Sequence, residues 1–195
     1  MKNKESKVYG LVCILFTIME GTIKSLMKEK AFLRLSKNKM SELLIEFLIF
    51  NLHQLSRTLY AWFGEKERSE LIDAVTIEIL YDLKQKNKVE LEERYVNLNI
   101  DSFGDYLEEF SFKSILGDFF NIYNKREIEY ANYLDNPEKG KGFAGTLLWE
   151  FGNKIAKIIE RENDLEIIMK VQILGTLWTY FGDIMKKLLL KKEEK

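Results

Sequence analysis

The chain is poor in three residues on which many catalytic and secreted proteins depend. Proline, cysteine and histidine occur once each, as Pro137, Cys13 and His53. A single proline leaves helices free to run long, because proline interrupts the helical hydrogen-bond ladder. A single cysteine excludes an intramolecular disulfide and indicates a reduced thiol in the cytoplasm. A single histidine excludes the two Glu-x-x-His motifs that build a di-metal site in a helical bundle.

The chain also lacks an excess of either charge and a long apolar run. It has 30 Lys and Arg against 31 Asp and Glu, with the two signs interspersed. A nucleic-acid partner is therefore not expected, since such proteins carry a basic face. The run from Val8 to Met19 has no signal-peptide cleavage pattern after it and is shorter than the about 18 to 20 residues that cross a bilayer. These features predict a cytoplasmic protein without a membrane span.

Apolar side chains recur every three or four residues along most of the chain, which is the period of an amphipathic helix. Strand alternation and Asn-Gly or Asp-Gly hairpin turns are missing. We therefore predict an all-α, single-domain bundle of five to seven helices over residues 1–195, with frayed tails at 1–7 and 191–195. The first predicted helix follows the apolar stripe from Val8 to Leu33, and the second runs from an N-cap at Ser41 to Phe63, with Gly64 as its C-cap. A third is predicted over about 67–86, followed by an aromatic-rich segment over about 103–134 that is kinked or divided. Two more helices are predicted over about 146–162 and 164–190.

One glycine motif resembles a nucleotide-binding fingerprint. Gly140, Gly142 and Gly145 fit G-x-G-x-x-G, in which glycines let the backbone approach a pyrophosphate between a strand and a helix. Here a predicted helix and Pro137 precede the motif, so the strand is absent. We interpret the motif as a connector between helices, and no cofactor is expected.

The last predicted helix carries an apolar heptad pattern with a second apolar row beside it. A central core helix would show this pattern, and so would a helix that also contacts a second subunit. The candidates for such a dimer interface are Leu174, Trp178, Phe181 and Met185, and the second row consists of Ile173, Leu177, Tyr180 and Ile184.

The second predicted helix gathers its polar side chains, including the only histidine, within an arc of about 100°. The arc contains no lysine, unlike an ordinary solvent-exposed face. It is either a narrow solvated face or a polar stripe sunk between helices, where Glu150 or Asp183 would supply further acids. The polar-site candidates are Glu46, His53, Arg57 and Tyr60.

The same helix carries a resemblance to a family. Glu46-Phe47, Leu52-His53, Arg57, Phe63-Gly64-Glu65 and Arg68 form an order similar to that of a loosely defined family of uncharacterised bacterial all-helical proteins. The similarity covers residues 46–68, and Ser56 stands where the family pattern has an acidic residue. No activity is attached to that family, so the resemblance implies none for this chain.

These patterns favour a non-catalytic protein. We predict a cytoplasmic helical interaction or ligand-binding module that is a homodimer, with a further protein or a small apolar ligand as possible partners. The alternative is an enzyme or metal-binding bundle with its site around Glu46, His53 and Arg57. Neither Glu46 nor Glu150 has a histidine three residues later, so no metal site is predicted.

Overall fold

A computed structural model describes residues 2–85, 119–134, 136, 143–175 and 177–190. Within these ranges the chain forms seven α-helices and no strand, apart from an isolated bridge between Leu134 and Thr146. The predicted all-α bundle is confirmed. The helices are α1 (Lys2–Leu26), α2 (Lys37–Phe63), α3 (Glu65–Gln85), α4 (Phe119–Tyr130), α5 (Leu147–Ile158), α6 (Leu165–Gly175) and α7 (Leu177–Leu190), with a 3-10 turn at Phe32–Arg34.

Two predicted helix boundaries near the N-terminus are wrong. The first helix ends at Leu26 rather than near Leu33, which is 62% exposed in the 3-10 turn. The N-cap of α2 is Ser36, whose hydroxyl accepts a hydrogen bond from the Lys39 N–H at 3.3 Å, whereas Ser41 lies inside the helix. Residues 2–7, predicted as a frayed tail, belong to α1.

The predicted C-cap of α2 is confirmed. Gly64 has φ +81° and ψ −175°, and its N–H donates to the carbonyl of Tyr60 at 2.9 Å. Residues other than glycine rarely adopt this backbone conformation. Gly64 therefore turns the chain sharply, and α3 packs back against α2.

The core lies around α1 and α2. Helix α2 buries an apolar face that includes Leu48, Leu52 and Leu59, and it contacts α1, α3, α4 and α5. Near its middle, the Phe50 ring stacks on that of Phe151 from α5, with centroids 3.8 Å apart and an interplanar angle of 10°. These contacts place α2 at the centre of the bundle, so its polar side chains meet other helices.

Helix α1 is a weak candidate for a membrane span. Glu5–Leu26 is long and apolar enough by length and composition, but core helices and signal sequences near an N-terminus also pass that test. Leu11, Val12 and Leu15 are buried inside the protein, where α1 contacts α2, α3 and α7. These contacts support a core helix, and the absence of a span stays a prediction.

The last two predicted helices are three. Helix α5 starts at the N-cap Thr146 and ends at Ile158. The carboxylate of Asp164 then accepts hydrogen bonds from the N–H groups of Glu166 and Ile167 at the start of α6, which packs closely on α5. A single helix over 164–190 is wrong, because α6 ends at Gly175 and α7 begins at Leu177.

Candidate functional site

The polar arc of α2 is buried. Glu46, His53 and Ser56 are each 3% exposed, because α4 lies over this side of α2. A solvated face is therefore the wrong interpretation for these three side chains. The carboxylate and the imidazole need partners in this environment, since an unpaired buried polar group is costly.

Helix α4 supplies the partners of Glu46. The Arg126 Nε–H donates to both carboxylate oxygens of Glu46, at 3.1 and 3.0 Å, and the Tyr130 hydroxyl donates to the same carboxylate. Arg126 also donates to Glu129 at 2.9 Å, and Glu129 accepts from Lys154 of α5 at 2.5 Å. This Glu46 cluster thus links α2, α4 and α5 through side chains that share two acids.

The cluster shifts the pKa values of its members. Burial, reinforced by the negative charge and hydrogen bond of Glu46, raises the pKa of Tyr130 well above its ordinary value. Burial alone would lower the pKa of Arg126, but the charge and hydrogen bond of Glu46, together with the charge of Glu129, outweigh it and the pKa is raised. Burial would raise the pKa of Glu129, yet Lys154 and Arg126 hold it below its ordinary value. Tyr130 therefore stays a neutral donor while Arg126 stays charged.

His53 pairs with a different acid of α4. Its Nδ1 lies 2.7 Å from Glu127 Oε1. An ionised carboxylate can only accept, so a proton on Nδ1 donates to Glu127. The other ring nitrogen, Nε2, is buried and has no hydrogen-bond partner among the described residues, and in a neutral imidazole it would hold the lone pair.

Tyr123 and Arg68 extend the His53 pair. Burial, then the charge and a hydrogen bond of Glu127, raises the pKa of Tyr123 above its ordinary value. Arg68 of α3 donates to the Ser56 hydroxyl at 2.7 Å and to Glu65 at 3.0 and 2.6 Å. His53, Glu127, Tyr123, Arg68 and Ser56 therefore form a second polar group, which connects α2, α3 and α4.

Among the polar-site candidates, Glu46 and His53 are buried on one side of α2, whereas three other expected members lie away from them. Tyr60 is 57% exposed, and the hydroxyl that donates to Glu46 belongs to Tyr130 instead. Asp183 is exposed, and Glu150 accepts from the Gly145 N–H and the Asn153 amide instead of joining the arc. Arg57 is half-buried. The sequence reasoning missed the four side chains that complete the site, which are Arg126, Glu127, Tyr130 and Lys154.

One small cavity lies between α1, α2, α5, α6 and α7. It has room for a single water molecule beside Asn51 and Trp178. The Trp178 indole N–H donates to Asn51 Oδ1 at 2.7 Å. Among the described residues no group of three His, Cys, Asp or Glu side chains could hold a metal ion. The first half of the aromatic segment predicted over 103–134, up to residue 118, lies outside the described residues.

Helices α6 and α7 present apolar side chains on two opposite sides. The inner side is in the core, where Val171 and Met185 are 1% exposed and Trp178 is buried. By the helical period, the outer side is centred about 180° away from it. The outer face consists of five large apolar side chains that are 43% to 71% exposed: Leu165, Met169, Ile173, Tyr180 and Ile184.

The burial of these side chains determines which dimer-interface candidates a second subunit could contact. Trp178 and Met185 are covered by their own chain, Phe181 is partly buried against the core, and the side chain of Leu174 lies outside the described set. A dimer interface on this helix pair, which stays a prediction, would use the outer face instead. Ile173, Tyr180 and Ile184 of the predicted second row belong to that face.

The comparisons with known proteins give no family. No protein-family model, curated protein or solved structure matches the chain.

Proposed function

We propose that this protein is a non-catalytic, cytoplasmic helical interaction module that works as a homodimer through the outer face of α6 and α7. The supporting observation is the pair of opposite apolar sides on these helices. A surface helix of a soluble domain normally has one apolar side, and a helix that is apolar on both is normally covered on both. The core covers one side, and a partner would cover the other.

The buried polar network supports a structural role for α4. Glu46 is occupied by Arg126 and Tyr130, and Glu129 is occupied by Arg126 and Lys154. Carboxylates that already accept hydrogen bonds from cations and a hydroxyl connect helices, and they are not available to bind a substrate. The network therefore fixes α4 to α2 and α5.

One observation favours the competing function, a metal-binding or enzymatic bundle around Glu46, His53 and Arg57. The buried His53 Nε2, without a hydrogen-bond partner in the described part of the chain, has a lone pair that could bind a metal. Metal analysis of protein purified without chelator or affinity tag tests this function. One metal ion per chain, lost in His53→Gln, would favour it over the interaction module.

Light scattering tests the interaction module. We expect a dimeric mass for the wild type at tens of micromolar and a monomeric mass for Tyr180→Glu, because the charge would lie in the apolar contact. Ile77→Glu is the matched control. Ile77 is also an exposed apolar side chain (62%), but it belongs to α3 and not to the outer face. A monomeric wild type, or equal dissociation of the two variants with helical content retained, would contradict the proposal.

A further inference from the structure

We infer that the second copy contacts this chain through α7, and that the two α7 helices lie antiparallel with a twofold axis at the level of Met185. This inference rests on the proposed function and specifies the partner helix, its direction and its register. It follows from the exposed side chains of α7 and from the order of apolar and charged residues among them.

Helix α7 has an exposed arc on the side away from the core. Its inner side is formed by Trp178, Met185 and Leu189, which are buried. By the period of 100° per residue, five exposed side chains fall within about 120° on the other side of the helix. They all belong to the single continuous helix Leu177–Leu190. These five, which form the α7 arc, are Tyr180, Asp183, Ile184, Lys187 and Leu190.

Two copies can match the apolar side chains of the α7 arc in the antiparallel direction. In a twofold pair, a residue before the axis faces the residue at the same distance after it in the other copy. Tyr180 and Leu190, which are 71% and 50% exposed, lie equally far before and after Met185. Each would therefore lie level with the other across the axis. Ile184 is next to the axis and would contact Ile184 of the second copy, so the contact has an apolar centre and an apolar pair at each end.

The charges of the α7 arc select the antiparallel direction. Asp183 and Lys187 are both exposed and lie equally far before and after Met185. They share one helix, yet neither takes part in an ion pair among the described residues. In the antiparallel pair, Asp183 of each copy lies level with Lys187 of the other. In a parallel pair, each would lie level with its own like charge, which is unfavourable. The arc is therefore complementary to a second copy of itself.

Charge reversal tests the direction. Lys187→Asp should weaken dimerisation by about tenfold in a dilution series followed by light scattering, because two ion pairs become repulsive contacts by symmetry. Lys186→Asp is the matched control, since it makes the same charge change at an exposed neighbour that lies about 100° from the centre of the arc. The control should leave dimerisation unchanged.

A mixing experiment adds a gain of affinity to this loss. Asp183→Lys alone should weaken dimerisation as Lys187→Asp does. An equimolar mixture of the two variants should recover the wild-type affinity, because both ion pairs return in the mixed dimer. In a parallel pair, each single variant would dimerise as well as the wild type, since like charges already face each other there.

Disulfide cross-linking tests the register. Cys13 is the only cysteine, so Cys13→Ser gives a background free of thiols. In that background Ile184→Cys should link to itself, because its two copies lie about 3 Å apart along the helices. Tyr180→Cys should link only after mixing with Leu190→Cys. Its own two copies would be about 15 Å apart, beyond the roughly 4.4 to 6.8 Å that a disulfide spans between Cα atoms.

The outcomes separate the failure of this register from the failure of the proposed function. A dimeric wild type with equal effects of Lys187→Asp and Lys186→Asp would overturn the antiparallel α7 contact and leave the homodimer standing. Linking of Tyr180→Cys to itself in a dimeric protein would do the same. A monomeric wild type with native helical content would overturn both.

Discussion

At the scale of single residues, the burial of Glu46 makes α2 dependent on a cation from α4. Arg126→Ala removes the guanidinium that contacts both carboxylate oxygens. We expect the free energy of unfolding to fall by about 2 to 4 kcal/mol, because a buried carboxylate would lose its main partner. Urea unfolding measures this change. The exposed neighbour Lys125→Ala is the control and should cost less than about 0.5 kcal/mol. Equal effects of the two variants would contradict a buried pair.

The raised pKa of Tyr130 predicts how the free energy of unfolding changes at alkaline pH. Its pKa in the folded protein is well above the ordinary value of 10.0, first because it is buried and then because Glu46 is negative. A raised folded pKa contributes stability that is fully present below the unfolded pKa and is lost as pH rises through the folded pKa. Above about pH 10, this loss reaches about 1.4 kcal/mol per pH unit.

Urea unfolding at several values between about pH 9 and pH 11 measures this loss in the free energy of unfolding. In Tyr130→Phe the decline should be shallower, because the variant lacks the phenol. The remaining tyrosines, including the similarly shifted Tyr123, are common to both proteins and serve as the internal control. Parallel curves for wild type and variant would show that Tyr130 does not carry the shift.

The candidate site was only half predictable from sequence. A helical wheel groups Glu46 and His53 on one side of α2, and the missing lysines indicated burial. It cannot say which helix covers that side. Arg126 and Tyr130 lie 80 and 84 residues from Glu46 in the sequence, and they meet it only through tertiary packing. The spacing of Tyr123, Arg126, Glu127 and Tyr130 was the available signal, because residues three, four and seven apart lie on one side of a helix.

At the scale of helices, the contact between α5 and α6 depends on a glycine. A Cβ atom at Gly152 would lie 3.1 Å from the Ile168 carbonyl oxygen and 3.2 Å from its Cα, so the backbone of α6 would have to move. We expect Gly152→Ala to lower the free energy of unfolding by about 1 to 3 kcal/mol.

Gly21→Ala is the matched control for this helix contact. Gly21 is also inside a helix, but a Cβ there meets no atom within 4 Å. Alanine should therefore stabilise α1 by about 0.5 to 1 kcal/mol through its better helix propensity. Thermal unfolding of the two variants beside the wild type measures both signs. A neutral or stabilising Gly152→Ala would mean that α5 and α6 are not in close contact.

Helix ends were predictable where a residue type marks them and not elsewhere. Gly64 marked the end of α2 because glycine suits the positive φ of a C-cap. The end of α1 at Leu26 has no such marker, since no glycine or proline occurs between Leu26 and Ser36 and the apolar stripe extends by coincidence to Leu33. The break after Gly175 was hidden for a different reason. The heptad pattern continues through it, so the period gives no sign of two helices.

At the scale of the whole molecule, the all-α class followed from the single proline and the helical period of the apolar residues. The packing order did not follow, because several helices have apolar faces that fit the same core. The last helical region shows the limit most clearly. Its two apolar rows were visible in the sequence, and the pattern fitted a core helix or a dimer interface, whereas the structure places the candidates Trp178 and Met185 in the chain's own core.

The dependence of thermal stability on protein concentration tests most directly whether this chain forms a dimer. Dissociation accompanies unfolding of a dimer, so its midpoint temperature rises with concentration. For a chain of this length, we expect a rise of about 3 to 4 °C over a hundredfold increase in concentration, from the usual unfolding enthalpy per residue. The rise should disappear in Tyr180→Glu and persist in Ile77→Glu. A wild-type midpoint that is constant over the whole range would contradict the claim that α6 and α7 join two copies of this chain.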